Sequence, residues 1–201
     1  MRRVAFPPVT HRLTSEVRKH IGRISGGSRL LAELAVDAIS LRRLNADVPE
    51  PCLYHSTHEF ILRHGWLFRP RKFPAKYRQW KGGYHDCLYN ALELSVGSGE
   101  LAYVEGFAMA AGTSGRPTAH AWCVDANGNV VDPTWHEITG LEYCGLSLDR
   151  RLLSQSHQKG EPFGLVFNER LFWDVATGKQ DWRKWLATGA DGFRPERVLP
   201  S

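Results

Sequence analysis

The sequence predicts an α+β fold, in which helices surround an antiparallel sheet. Apolar residues recur at helical spacing between residues 28 and 44. Runs typical of strands follow after residue 100, and a short glycine-containing turn joins two of them. Helical patterns return near the C-terminus, where tryptophans are frequent. Helices, then a group of strands, then helices is the order typical of an α+β protein.

The composition is that of a globular protein with its own core. Of the 201 residues, 42% are hydrophobic and 23% are charged, which excludes disorder along the whole chain. No segment has the apolar length of a membrane helix, and residues 1–13 lack the apolar run of a secretory signal. The four cysteines form no C-x-x-C pair. We therefore expect a cytoplasmic protein with thiols rather than disulfides and no membrane contact.

Charge and composition divide the chain into three predicted parts. Residues 1–81 carry 16 lysines and arginines against 6 aspartates and glutamates, and we expect this basic, mainly helical segment and loop to pack on the core. Residues 82–167 form the predicted catalytic core, and residues 168–201 form a Trp-rich helical tail. The alternative for the basic part is a surface for an acidic partner, including nucleic acid.

The basic part begins with an expected irregular arm and two helices. Residues 1–13 contain adjacent prolines, which block regular structure, and a short helix is predicted at 14–20. A second, amphipathic helix is predicted at 28–44. Its apolar face consists of Leu30, Leu31, Leu34, Ala35, Ala38, Leu41 and Leu44.

A capping box and a basic loop complete this part. The sequence STHE at residues 56–59 predicts the start of a helix that ends near His64 and Gly65. Residues 69–83 contain prolines and a glycine pair, and are expected to form a long loop.

The core begins with a helix and continues with strands. Asp86 is the predicted N-cap of a helix that starts at Cys87 and ends at Gly97 and Gly99. The predicted strands are residues 101–109, 118–124, 129–132 and 140–148. A helix at 149–155, a strand at 163–167 and a helical tail at 168–187, broken at Gly178, follow these strands. Trp173, Trp182 and Trp185 are expected to supply packing area.

Cys87, His120 and Asp132 are the residues with which this sequence can perform acyl transfer. Unpaired N–H groups at the start of a helix favour the thiolate, which is the nucleophilic form of cysteine. A histidine on a later strand can take the thiol proton and hold the thiolate as an ion pair. A carboxylate on the far side of the imidazole fixes its tautomer and orientation. We therefore predict a Cys-His-Asp triad.

Each of these residues also has a structural interpretation. A buried cysteine at a helix start, a hydrogen-bonded core histidine and an aspartate that caps a turn are all common. The three residues together, in this order, favour catalysis. A metal site formed by Cys87, His85 and His120 is a further alternative, which the helix start and the downstream aspartate disfavour. We predict no metal and no cofactor.

Two segments of the predicted core resemble the transglutaminase-like superfamily, a branch of the papain-like cysteine enzymes. In that superfamily a cysteine-bearing helix precedes a strand with H-x-W, here HAW at 120–122, and a strand ending in D-P-T, here VDPTW at 131–135. The sequence GGYHDC at 82–87 is loosely similar to the family's glycine-rich approach to the cysteine. The resemblance covers residues 82–145 and implies an α+β papain-like core with a Cys-His-Asp triad. The superfamily includes peptidases, cross-linking acyltransferases, peptide-deglycosylating enzymes and inactive scaffolds, so the substrate stays open.

Donors for the oxyanion of an acyl-transfer intermediate lie at or before Cys87. The backbone N–H of Cys87 is the default donor. Papain-like enzymes also have a side-chain donor a few residues upstream, which points to Gln79, with Trp80 and Tyr84 as rivals.

Glu105 and Trp122 are further candidates for the cleft. Glu105 interrupts an apolar strand, and it either lines the cleft or pairs with a basic residue of the N-terminal part. Trp122 belongs to the motif that contains His120.

The function predicted from these residues is a cysteine-dependent hydrolase or acyltransferase that acts on an amide or peptide-type bond. The partner is then a protein, peptide or small amide substrate, and hydrolysis is favoured because water is always available. The alternative is a non-catalytic binding module, since residues 69–81 interleave cations with aromatics as single-strand binders do. We favour the interpretation that residues 69–81 form a loop over the cleft that helps to select the substrate.

The triad also requires one hairpin register. A two-residue turn at Asn127 and Gly128 would put Asp132 on the face away from His120, because side chains alternate along strands. A three-residue loop, with Gly128 left-handed in a bulge, puts Trp122 opposite Asp132 and gives Asp132 and His120 one face. We predict the second register.

Overall fold

The computed structural model describes five stretches of the chain. They are residues 28–45, 52–109, 116–137, 142–159 and 164–187. The predicted arm at 1–13 and the predicted helix at 14–20 lie outside the described residues.

The described residues form an α+β structure, as predicted, with helices packed on a five-stranded antiparallel sheet. The elements are α1 (Arg29–Leu44), α2 (Thr57–His64), β1 (Trp66–Phe68), a 3-10 helix (Ala75–Trp80), α3 (Cys87–Ser98), β2 (Ala102–Met109), β3 (Thr118–Val124), β4 (Val130–Val131), β5 (Glu142–Leu148), α4 (Arg150–Gln158), α5 (Glu169–Ala176) and a second 3-10 helix (Trp182–Trp185).

The strand order is β1-β5-β2-β3-β4, so β2 is the central strand and is buried along its whole length. Tyr103 and Phe107 on one face of β2 join the main core, to which all five helices contribute. Val104 and Ala108 on the other face join a smaller cluster with Trp122 of β3. The two faces of the sheet are therefore both apolar, as the continuous hydrophobic run of β2 requires.

The predicted helices at 28–44, 56–65 and 87–99 are confirmed, and a side chain caps the first turn of α1 and of α2. The Ser28 hydroxyl accepts a hydrogen bond from Leu31 N, and the Ser56 hydroxyl accepts one from Glu59 N. The Glu59 carboxylate accepts from the N–H of His55, one residue before the cap. The assignment of Leu44 to the buried apolar face of α1 is wrong, because Leu44 lies in the last turn of the helix and is 78% exposed.

Three predictions for irregular segments need correction. The predicted strand at 163–167 is wrong where the structure describes it, because none of residues 164–167 is in a strand and residues 165–167 form bends. The predicted loop at 69–83 contains the first 3-10 helix, whose Tyr77 is buried. Strand β1 was not predicted, and it pairs with β5, so the sheet includes residues from both sides of the predicted division at residue 81.

The described part of the predicted tail, residues 168–187, contains a helix before Gly178, while residues 188–201 lie outside the described residues. Helix α5 ends before Gly178, whose φ is 75°, and the second 3-10 helix follows. Trp173, Trp182 and Trp185 are partly buried against the main core, in the packing role that was expected.

The hairpin has the predicted three-residue loop. Cys123 pairs with Val131, and Gly128 has a φ of 75°. The Asp125 N–H donates to the carbonyl of Asn129 at 3.0 Å. This register places the side chains of His120 and Asp132 on the same face of the sheet.

In the described stretches, no helix combines the length and apolar character needed to cross a membrane.

Gly145 of β5 pairs with Gly106 of β2, and neither position has room for a Cβ. A Cβ at position 145 would overlap the Glu105 carbonyl oxygen and lie 2.8 Å from Cη2 of Trp122. We expect Gly145→Ala to lower the free energy of unfolding by about 1–3 kcal/mol, since backbone atoms would have to shift. Gly83→Ala is the matched control, because its nearest contact would be 3.8 Å away. Urea denaturation measures both; an equal effect of the two substitutions contradicts the prediction.

Candidate active site

Cys87 is the first residue of α3, and its side chain is half-buried. The chain reaches this point through His85, which has a φ of 81° and is the one non-glycine residue with positive φ among those described. The N-cap Asp86 makes no side-chain capping bond. The Asp86 carboxylate therefore does not occupy the N–H groups of the first turn, and the Cys87 N–H stays the predicted oxyanion donor.

The start of α3 is bound to the chain that follows β4. The Asn90 side chain donates to Thr134 Oγ1 at 3.0 Å and to the Gly83 carbonyl at 2.9 Å. The Gly82 N–H donates to the Pro133 carbonyl at 3.0 Å. These bonds connect the cysteine-bearing helix to the segment that carries Asp132.

His120 and Asp132 form a buried pair. His120 Nε2 lies 2.7 Å from Asp132 Oδ2, and the side chains are 2% and 5% exposed. The pairing of β4 with β3 ends at Val131, opposite Cys123, and the next residue, Asp132, brings its carboxylate to the imidazole.

The Asp132 carboxylate accepts hydrogen bonds from four groups. Oδ1 accepts the backbone N–H of Thr134 and of Trp135, each at 2.9 Å. Oδ2 accepts the Tyr143 hydroxyl at 2.9 Å in addition to His120. Every lone-pair direction of the carboxylate is used, which fits an ionised buried acid.

Burial and charge oppose each other at His120. Burial disfavours the charged imidazolium, but the Asp132 carboxylate and a side-chain hydrogen bond with Cys87 outweigh it and raise the pKa of His120 to about 9. Burial alone would raise the pKa of Asp132, but the charge and hydrogen bond of His120 hold it below its usual value. The pair is therefore imidazolium and carboxylate at neutral pH.

The pairing fixes the roles of the two ring nitrogens. An ionised carboxylate only accepts hydrogen bonds, so His120 Nε2 must be the donor. Nδ1 is then the nitrogen left to exchange a proton with the Cys87 thiol. The structure thus brings the three predicted residues together in the order required for a triad.

Two tryptophan rings lie nearly parallel to the imidazole of His120. The Trp135 ring is stacked on His120 with centroids 4.0 Å apart, and it is half-buried. Trp122, predicted to line the cleft, is fully buried among Phe68 and Tyr143 and supports the site from within the core. A core tryptophan does not contact substrate, so that prediction is corrected.

Glu105 takes neither of its two expected roles. Its side chain is fully buried, and its carboxylate accepts the N–H groups of Leu165 and Val166 at 2.8 Å and the Tyr103 hydroxyl at 2.9 Å. Burial raises the pKa of Glu105 despite these donors. Through these bonds Glu105 anchors the segment after Gly164 to β2. That segment is irregular and not a strand, so its backbone N–H groups donate to the carboxylate and not to a neighbouring strand.

The upstream candidates for an oxyanion side chain differ in exposure. Gln79 and Tyr84 are exposed and open to a substrate. Trp80 is turned inward, since a Cβ at Gly97 would lie 2.8 Å from its indole Nε1. Gln79 and Tyr84 stay predictions, and Trp80 acts in packing.

Sequence reasoning missed Tyr143 as part of the site. It lies in a predicted strand, but β5 is two strands from β3, and the sequence carries no signal that its hydroxyl reaches Asp132. Trp135 is the last residue of the VDPTW segment at 131–135, so the sequence did contain a signal for its position beside His120.

No group of three or more histidines, cysteines, aspartates or glutamates in the described part of the chain is arranged to hold a metal ion.

The raised pKa of His120 predicts a pH-dependent contribution to stability. Protonated His120 stabilises the fold fully below its ordinary pKa of 6.5, and this contribution is lost as pH rises through about 9. We expect the unfolding free energy of wild type to fall over this range by more than that of His120→Gln. Urea denaturation at several pH values measures the difference.

His64→Gln is the matched control. Burial and the nearby Arg63 and Arg183 lower the pKa of His64 to about 4, so this ring is neutral over the same range. The control should keep the wild-type pH slope. If the unfolding free energy of His120→Gln has the same pH slope as that of wild type, the charged His120–Asp132 pair is contradicted.

Comparison of the chain with protein-family models, with curated proteins and with solved structures found no match. The geometry of Cys87, His120 and Asp132 is thus the observation on which any functional inference for this chain depends.

Proposed function

We propose that the protein is a transglutaminase-like cysteine hydrolase or acyltransferase, with a papain-like core, that acts on an amide or peptide-type bond. The observation that carries the proposal is the buried His120–Asp132 ion pair next to the Cys87 thiol. A buried charged histidine has a large desolvation cost, and a thiolate partner on its other side is one chemistry that uses such a group.

The proposed reaction begins from an ion pair of the Cys87 thiolate and the His120 imidazolium, in which Nδ1 of His120 carries the proton taken from the thiol. The thiolate attacks the carbonyl carbon, an S–C bond forms, and the carbonyl electron pair moves to the oxygen. The Cys87 N–H stabilises this oxyanion, with Gln79 or Tyr84 as side-chain candidates. The intermediate collapses, the C–N bond breaks, and the leaving amine takes the proton from His120.

The acyl-enzyme then reacts with water or with an amine. His120 removes the proton from the attacking group, the new bond to the acyl carbon forms, and the S–C bond breaks. Water gives hydrolysis, and an amine gives transfer. We propose hydrolysis as the default and a protein, peptide or small amide as the substrate. The proposal places the reaction in the cytoplasm, where a reactive thiol stays reduced.

The geometry offers less support for the binding-module alternative. Stacking on nucleic-acid bases requires exposed aromatic rings. In the basic stretch 69–81, Tyr77 is buried and Phe73 and Trp80 pack against the main core. Two of its cations, Arg71 and Lys76, form ion pairs with Asp125 and Glu100. The aromatic surface on which that alternative depended is turned inward.

The proposal predicts that Cys87 has the most reactive thiol. We expect iodoacetamide to modify Cys87 near neutral pH on the order of 100-fold faster than Cys52, because Cys87 combines a helix start with the His120 imidazole as its partner. Cys52 is the matched comparison, since both side chains are half-buried. Burial raises the pKa of Cys123 and raises that of Cys144 to about 12, so both should react slowly. Peptide mass spectrometry of the alkylated chain measures the four rates.

Substitutions separate catalysis from stability. Cys87→Ala should abolish turnover of peptide and small amide substrates while the unfolding transition is kept, and Cys52→Ala should leave turnover unchanged. His120→Ala should reduce alkylation of Cys87 to the rate of Cys52. Equal labelling of all four thiols in the folded protein, or loss of folding in Cys87→Ala, would falsify the proposal.

A further inference from the structure

Tyr143 is a buried residue of β5 whose hydroxyl reaches the candidate site. The side chain is 2% exposed, and its hydroxyl donates to Asp132 Oδ2 at 2.9 Å. The same oxygen accepts His120 Nε2 at 2.7 Å. One carboxylate oxygen therefore joins the phenol and the imidazole.

The phenol ring is held in place by its surroundings. Trp122 lies 5.1 Å from it between ring centroids, and Phe68 is its partner across the β1–β5 pair. On the neighbouring strand β2 the facing residue is Ala108, whose small side chain leaves room for the ring to extend towards Asp132. The hydroxyl is thus presented to the carboxylate by a packed ring on β5, an interior strand of the sheet.

We propose that Tyr143 is a positioning residue for the reaction proposed above, and that it acts by holding the plane of the Asp132 carboxylate so that Oδ2 faces His120. The two backbone donors fix only Oδ1, which leaves Oδ2 to be fixed from the other side. Because the phenol is a neutral donor, it stabilises the ionised carboxylate without placing a second positive charge beside the imidazolium. The inference rests on the proposed function, because it gives the phenol a role in the triad.

Loss of the hydroxyl has a chemical consequence beyond lost packing. Oδ2 would keep a buried lone pair without a donor, and the proton affinity of the carboxylate would rise. A protonated Asp132 no longer stabilises the imidazolium, and the Cys87 thiolate loses its partner. The titratable groups around Asp132 are His120 and Cys123 from β3 and Tyr143 from β5, while Cys87 interacts with His120.

The test is the pH profile of Cys87 alkylation by iodoacetamide in the full chain. In Tyr143→Phe we expect the plateau rate to fall about tenfold and the acid limb to move up by about one pH unit, since a hydrogen bond to a charged group is lost. Tyr54→Phe is the matched control, because it removes another largely buried hydroxyl, one that lies 2.7 Å from His64 Nε2. The control should keep the wild-type profile.

The outcomes separate this inference from the proposed function. A wild-type Cys87 that reacts no faster than Cys52 overturns the proposed function and this inference with it. A folded Tyr143→Phe variant with the wild-type profile, beside an activated wild type, overturns this inference alone. If Tyr143→Phe does not fold, 3-fluorotyrosine at position 143 keeps the ring and is a stronger donor. Its acid limb must then move to lower pH, and an unmoved limb overturns the inference.

Discussion

The charge on Asp132 is the constraint on which the candidate site depends. A buried carboxylate stays ionised only when donors or a positive charge surround it. Two backbone N–H groups, a phenol and an imidazole supply this at Asp132. The donors come from β3, from β5 and from the turn after β4, so the sheet must assemble before the carboxylate is stabilised. The fold and the chemistry of the site are therefore coupled through one side chain.

Glu105 is a second buried carboxylate in the same sheet. It is a useful comparison because its hydrogen-bond donors are neutral groups, whereas Asp132 is bonded to His120. The fully buried carboxylate of Glu105 also accepts backbone N–H groups and a tyrosine hydroxyl, yet burial raises its pKa, whereas the pKa of Asp132 is lowered. The difference lies in the imidazolium of His120, since both acids have backbone and tyrosine donors. Glu105 anchors a segment of chain, and Asp132 holds a charged base beside a thiol. Two buried acids of similar hydrogen bonding thus have different chemical roles.

The sequence predicted the site well where local patterns decide position. The helix start at Cys87 and the two strands follow from spacing and turn composition. The three-residue loop with Gly128 in positive φ followed only from the requirement that His120 and Asp132 share a face, because the Asn-Gly pair by itself favours a two-residue turn. Sequence reasoning failed where distant segments meet. Nothing local indicates that Glu105 faces the N–H groups after Gly164, or that β5 presents Tyr143 to Asp132. Such contacts depend on strand order, which periodicity does not specify.

The burial of the base determines how a substrate meets this site. His120 is 2% exposed beneath Trp135, whereas Cys87 is only half-buried. In the proposed reaction a substrate therefore reaches the thiol, and the imidazole is approached only from the side of Cys87. Since Nε2 is occupied by Asp132, every proton that His120 gives or takes must pass through Nδ1. The leaving amine and the incoming water must then occupy the same place in turn, next to the sulfur, so departure of the amine has to precede attack by water.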